Sequence, residues 1–186
     1  MRLPIQTLTE DERIEKTTFA VAPIDDVAET IREDALASAR QKHQAEDAGL
    51  TMLFGRRDFL DSFKYEVACR AADVLAAVDR NVQAVYVYDA DLNPDAEISA
   101  EVPLDVTIRL LLHVSAPTAA LQVFIAALDR ALVSSLKELP SALFQQRDFI
   151  LEVNLIADQD IQHRLGYAKL LSSVFAPPLK VWQREE

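Results

Sequence analysis

Residues 84–114 read AVYVYDADLNPDAEISAEVPLDVTIRLLLHV. An apolar run ends at Tyr88-Asp89-Ala90, a loop with no Lys or Arg between Asp89 and Glu101 follows, and a second apolar run extends from Leu104 to Val114. Val and Tyr alternate through the first run, which predicts a buried strand from Val82 to Tyr88. In the second run Leu110-Leu111-Leu112 breaks strict alternation, as expected of a strand covered on both faces. Two strands joined by an acidic loop therefore form the centre of the predicted fold, and the flanking segments supply its cover.

Before this pair, Asp58 is placed to cap a helix in which Phe59, Phe63, Val67, Ala71, Val74 and Val78 recur at three- and four-residue spacing. Further upstream, Ile24 to about Glu46 contains no Gly or Pro, opens on Asp25 and Asp26, and sets Val27, Ile31, Ala35 and Ala39 on one side. This predicts a polar helix with a narrow apolar stripe, lying on the outside or against a partner, with Gly49 and Gly55 marking the loop after it. Thr17-Thr18-Phe19-Ala20-Val21 has the composition of a short strand stopped by Pro23.

After the pair, Pro117 opens a helix with Leu121, Phe124, Ile125, Leu128 and Leu132 on one face. Phe149 to Ala157 alternates Ile150, Glu152 and Asn154 against Leu151, Val153 and Leu155, a third strand. A helix from about Gln159 to Phe175 and a short strand from Leu179 to Trp182 complete the order, separated by Pro177-Pro178. The prediction is an α+β fold: a small mixed or antiparallel sheet covered by helices. Residues 1–57 form an N-terminal extension with one polar helix and residues 58–186 the core, together expected as one compact unit.

Composition narrows the function. The chain has 186 residues, half of them apolar, and a formal net charge of −11. That is enough for one domain with a true core, and the field of such a chain repels nucleic acid and anionic membranes. The densest basic cluster, Arg56-Arg57 after Gly55, reads as an ordinary solvated turn. The apolar runs are broken by charges before they reach membrane-spanning length. Met1 to Ile5 gives way at once to Thr9-Glu10-Asp11-Glu12, so a soluble cytoplasmic protein is expected. The single Cys69 cannot form an internal disulfide and reads as core filler.

The element order from about Asp58 to Trp182 resembles the minimal nucleotidyltransferase fold, and the tail Pro177-Pro178-Leu179-Lys180-Val181-Trp182 resembles that family's closing strand. The family ends its first strand on Gly-Ser, carries two acids at alternate positions on its second strand, and often one more on its third. The matching places here hold Asp89-Ala90, Asp105 with Thr107, and Glu152 or Asn154. The resemblance implies metal-dependent nucleotidyl transfer on this scaffold, and the departures argue that it is lost. Two-metal transfer needs carboxylates that gather two divalent ions, and the Thr107 hydroxyl is a weak magnesium ligand. Asp89 places negative charge where a phosphate would rest, and Asp91, Asp95, Glu97 and Glu101 add to it. Like charges at about 4 Å repel by roughly 1 kcal/mol in water and roughly 4 near a protein surface.

The expectation is a non-catalytic binding or assembly protein without a cofactor. The acidic loop and the polar helix would be its exposed faces, for a basic protein or a cationic ligand. Two alternatives stay open. One is a metal-dependent nucleotidyltransferase with a reduced site, Asp105, Asp89 and Glu152 around one Mg2+; the other is a ferredoxin-like interaction domain.

Other chemistry has weaker grounds. Asp89, Asp91, Asn93 and Asp95 offer oxygen donors at alternate positions in the manner of a calcium loop, but Pro94 replaces the turn glycine and Ala100 the bidentate glutamate. His43, on the polar helix, and His163 read as surface residues, and His113, at a strand end, as a hydrogen-bonded structural residue. Three glycines leave no phosphate-binding glycine loop. Tyr86 and Tyr88 read as cross-strand packing rather than a binding platform.

Overall fold

The computed structural model describes residues 23–88, 104–174 and 176–185. Four strands, β1 (Val82–Val87), β2 (Ile108–Val114), β3 (Leu151–Ala157) and β4 (Leu179–Gln183), form one sheet in the order β3-β2-β1-β4. β1 runs antiparallel to β2 and β4, whereas β2 and β3 are parallel. The sheet is therefore mixed and the fold α+β. A ferredoxin-like domain is built from split βαβ units, with another strand between the parallel pair. Here β2 and β3 are direct neighbours, so that alternative does not describe the sheet.

Helices α3 (Arg57–Val78) and α4 (Ala119–Leu136) lie on one side of the sheet, and α1 (Ile24–Lys42) packs across these two helices, with the short α2 (Leu50–Phe54) and α5 (Ala142–Gln145) joining the same core. Val85 and Val87 of β1 and Leu110 and Leu112 of β2 point into this layer. Phe54 is its aromatic hub, with edge-to-face contacts to Phe59, Phe63 and Phe144 at ring separations of 5.5, 5.2 and 5.2 Å. Each such fully buried ring contributes roughly 1.5–3 kcal/mol through burial alone. The apolar stripe of α1 belongs to the same core. Ala28, Ile31, Ala35 and Ala39 are buried, so the stripe is covered within the chain and only the acidic side of α1 faces outward.

The opposite face of the sheet is thinly covered. Leu111 and Ile156 pack there with Ala168, beside Tyr86 and Tyr88. The cover comes from α6 (Asp158–His163) and a 3-10 segment, Gly166–Ser172, which replace the single helix expected from Gln159 to Phe175. Arg164 ends α6 in the left-handed region at φ 52°, and Gly166 at φ 48° continues the break, which no α-helix can pass through.

Other boundaries move for local reasons. The helix expected to open at Pro117 begins at Ala119, because Thr118 caps it by accepting from the Leu121 amide. The helix expected to be capped by Asp58 begins at Arg57 without a side-chain cap; Asp58 instead binds Arg56. Between Gly49 and Gly55 lies the short helix α2 rather than a plain loop. The second strand starts at Ile108, since Asp105 accepts the Thr107 amide in a local turn. Helix α4 is long and apolar enough to cross a membrane by length and composition, contrary to the expectation that charges break every apolar run before that length. Its apolarity is explained by burial: Leu121, Phe124, Leu128, Leu132 and Leu136 line the core. The strand expected at Thr17–Val21 lies outside the described residues.

Candidate functional site

On the thinly covered face, the C-terminal end of β1, the turn before β2 and the start of β3 converge, as the register dictates: Val87 pairs with Leu110, and Arg109 with Glu152. Asp105 and Glu152, distant in sequence, meet there through one residue that the sequence reading did not single out. Arg109 donates to Asp105 Oδ2 through Nη2 at 3.0 Å and to Glu152 Oε2 through Nε at 3.2 Å. Arg147 approaches Asp105 Oδ1 from the other side, at 3.9 Å.

The cluster continues into neutral groups. The Tyr88 hydroxyl donates to Glu152 Oε1 at 3.2 Å and accepts from Asn154 Nδ2 at 2.6 Å. Tyr167 of the 3-10 segment stands against Tyr88 with ring centroids 5.8 Å apart. Glu152 and Asn154, predicted on one face of β3, thus share a partner in Tyr88.

Electrostatics follows from these contacts. Burial pushes the Asp105 carboxyl up, but hydrogen bonds from the Thr107 amide and side chain and from Arg109 outweigh it and hold the group below the usual carboxylate range. Burial, reinforced by the charge of Glu152 and the bond to it, pushes Tyr88 up to about 12. The site therefore holds a neutral tyrosine and an ionised Asp105 across the ordinary pH range. Its central cation is a guanidinium whose charge is fixed.

The expected alternation of Asp105 and Thr107 on a strand does not occur, because both precede β2. Thr107 is buried and serves Asp105 with its amide. Asp89, Asp91, Asn93 and Asp95 lie outside the described residues, so the proposed third carboxylate and the calcium-like loop are not placed. Among the described residues no group of three or more His, Cys, Asp or Glu side chains is arranged to hold a metal ion.

His43 departs from its expected surface position. Its Nε2 lies 2.9 Å from Ser62 Oγ and its Nδ1 3.5 Å from Asp58 Oδ2, tying the end of α1 to α3. Ser62 stands within α3, without the sharp strand-to-helix turn that exposes a nucleophilic serine. His113 pairs with Asp158 at 2.7 Å, the structural bond expected of it, and His163 is exposed. Cys69 is half-buried rather than core, and burial pushes its thiol up, away from reactivity.

Two grooves mark the surface. One, of about 530 Å³, runs between α4 and the outer edge of β3 and reaches Asn154. The other, of about 340 Å³, lies between α1 and α3 and carries Asp26, Asp34 and Asp73 around Arg70. In comparison with known proteins, no family model, no curated protein and no solved structure matches the chain.

Proposed function

We propose that the chain is a non-catalytic binding or assembly protein on a nucleotidyltransferase-like scaffold whose transfer site is neutralised from within. The observation that carries the reading is the position of Arg109, bonded to both Asp105 and Glu152. Those are the carboxylates that a metal-dependent site would use. A divalent ion at the same place would have to displace a guanidinium or endure its repulsion, roughly 4 kcal/mol per pair of unit charges at about 4 Å near a surface. The order of helices and strands after Arg57 supports the scaffold reading.

The outward side of α1, with Asp25, Asp26, Glu29, Glu33 and Asp34 exposed, supports a basic or cationic partner. A cytoplasmic location is part of the same proposal.

The second reading, a metal-dependent nucleotidyltransferase with a reduced site, draws on one observation: Asp105 and Glu152 do come together. A thermal-shift screen with the four ribonucleoside triphosphates and Mg2+ separates the two. A neutralised site gives no stabilisation, whereas occupancy at a hundredfold over the dissociation constant adds about 2.7 kcal/mol. Stabilisation that requires Mg2+ and is lost in Asp105→Ala would establish the enzyme reading.

A further inference from the structure

β3 is an edge strand, and its outer side carries a short unpaired window. In the parallel ladder the Ile108 amide donates to the Ile150 carbonyl, so the even-numbered residues of β3 turn their backbone groups to β2 and the odd-numbered ones outward. Two of the outward amides are closed by carboxylates of the chain itself. Asp129 Oδ1 accepts from Leu151 N at 2.7 Å, and Asp160 Oδ2 accepts from Ala157 N at 2.8 Å. Between them, Val153 and Leu155 present their N–H and C=O groups with no partner among the described residues.

We propose that this edge joins two copies of the chain, β3 against β3 in antiparallel register about a two-fold axis at Asn154. The window is complementary to itself. Setting Val153 opposite Leu155 of the second copy, and Leu155 opposite Val153 of the second copy, satisfies all of its outward groups with double hydrogen-bonded pairs. The carboxylates at Leu151 and Ala157 then end the ladder on both sides.

Charge opposes a second copy less along the groove beside this edge than over the rest of the surface. The chain carries a formal net charge of −11, so like copies repel over most of their surface. Along α4 the charged residues are Asp129 and Arg130, which cancel, and Asp129 is already committed to the β3 amides. The groove beside the edge is apolar at Ile125, Ala126, Val153 and Leu155, and Val123 and Phe149 nearby are 54% and 50% exposed. Between the Asp129 and Asp160 carboxylates, the unpaired window at Val153 and Leu155 lies beside apolar surface and lacks a charge of its own against pairing. The inference stands apart from the fate of the carboxylate cluster, since neither Asp105 nor Arg109 takes part.

Sedimentation velocity over a wide concentration range, on the full chain, tests the proposal. A reversible dimer is expected. Val153→Pro removes an outward amide while leaving the ladder to β2 untouched, and Val123→Glu adds to the negative charge on an exposed α4 position. Each should weaken dimerisation about tenfold or more, with circular dichroism and melting checking that the fold persists.

In a Cys69→Ser background, the Asn154→Cys variant brings position 154 against its own copy across the axis, at about 4.5 Å between Cα atoms, within the disulfide span of roughly 4.4–6.8 Å. It should cross-link under mild oxidation. A chain that stays monomeric at every concentration overturns the proposal. So does a dimer that all the variants leave unchanged and that Asn154→Cys fails to cross-link.

Discussion

Arg109 Nε lies 3.2 Å from Glu152 Oε2, and the same guanidinium reaches Asp105 Oδ2 at 3.0 Å. One side chain thereby joins the start of the second strand to the third and is shared by two carboxylates on an otherwise lightly covered face of the sheet. With side-chain exposures of 32% for Arg109, 27% for Asp105 and 39% for Glu152, the pairing lies between the surface and buried limits.

Replacing Arg109 by Met should therefore destabilise the fold by about 1–2 kcal/mol, between the values for exposed and buried ion pairs. Urea denaturation at neutral pH measures it. Asp105 adds a pH signature: its folded carboxyl is held below the usual range, so its stabilisation is present above the unfolded value near 4 and is lost as pH falls through the lower folded value. Arg109→Met should shift that acid limb upward. An unchanged limb would mean that Arg109 contributes nothing to holding the charge.

Tyr88 gives the alkaline counterpart. Its hydroxyl is raised to about 12 by burial and by Glu152, above an unfolded value of about 10. Between these values the unfolded chain loses a proton that the folded chain keeps, so stability falls as pH rises from about 10 towards 12. Burial raises Tyr65 and Tyr86 as well, so ultraviolet titration should show several tyrosines ionising late with Tyr88 the last, and Glu152→Gln should bring that last transition earlier. Loss of the last transition in Tyr88→Phe assigns it.

The helical layer was legible because its signals are local. The three- and four-residue spacing through Phe59, Phe63 and Val67 predicted α3, and Ile31, Ala35 and Ala39 marked the buried side of α1. What was missed depends on contacts across the chain. Arg109 sits inside an apolar run, and nothing local shows that β2 pairs in parallel with β3 and brings Glu152 beside it. The apolar period through Ile161, Leu165 and Leu171 predicted one helix, but left-handed backbone at Arg164 and Gly166 broke it. The Asp105–Thr107 alternation failed because an aspartate side chain satisfied a backbone amide before the strand could begin.

Asp129 should prove structural. Its Oδ1 accepts both the Ile150 and Leu151 amides, at 2.8 and 2.7 Å, where β3 leaves its loop. Asp129→Ala leaves these donors unpaired at an expected cost of about 1–3 kcal/mol, read by thermal or urea denaturation. Asp129→Asn, which keeps an acceptor oxygen, should cost less. Equal losses in the two variants would point to charge rather than hydrogen bonding as the contribution of this side chain.

Phe54 tests the core. It is fully buried at the meeting of Phe59, Phe63 and Phe144, so Phe54→Ala should cost about 3–5 kcal/mol through lost burial and an unfilled cavity. Phe54→Leu should recover a large part of that. A loss below about 1 kcal/mol in the alanine variant would show that α2 does not anchor the helical layer.

The most direct measurement of the central claim is Mn2+ binding followed by electron paramagnetic resonance, with and without a nucleoside triphosphate, in the native chain and in Asp105→Ala. A site neutralised by Arg109 predicts the same free-ion signal in both proteins, whether or not nucleotide is added. Nucleotide-dependent capture of Mn2+ by the native chain, abolished in Asp105→Ala, would contradict it.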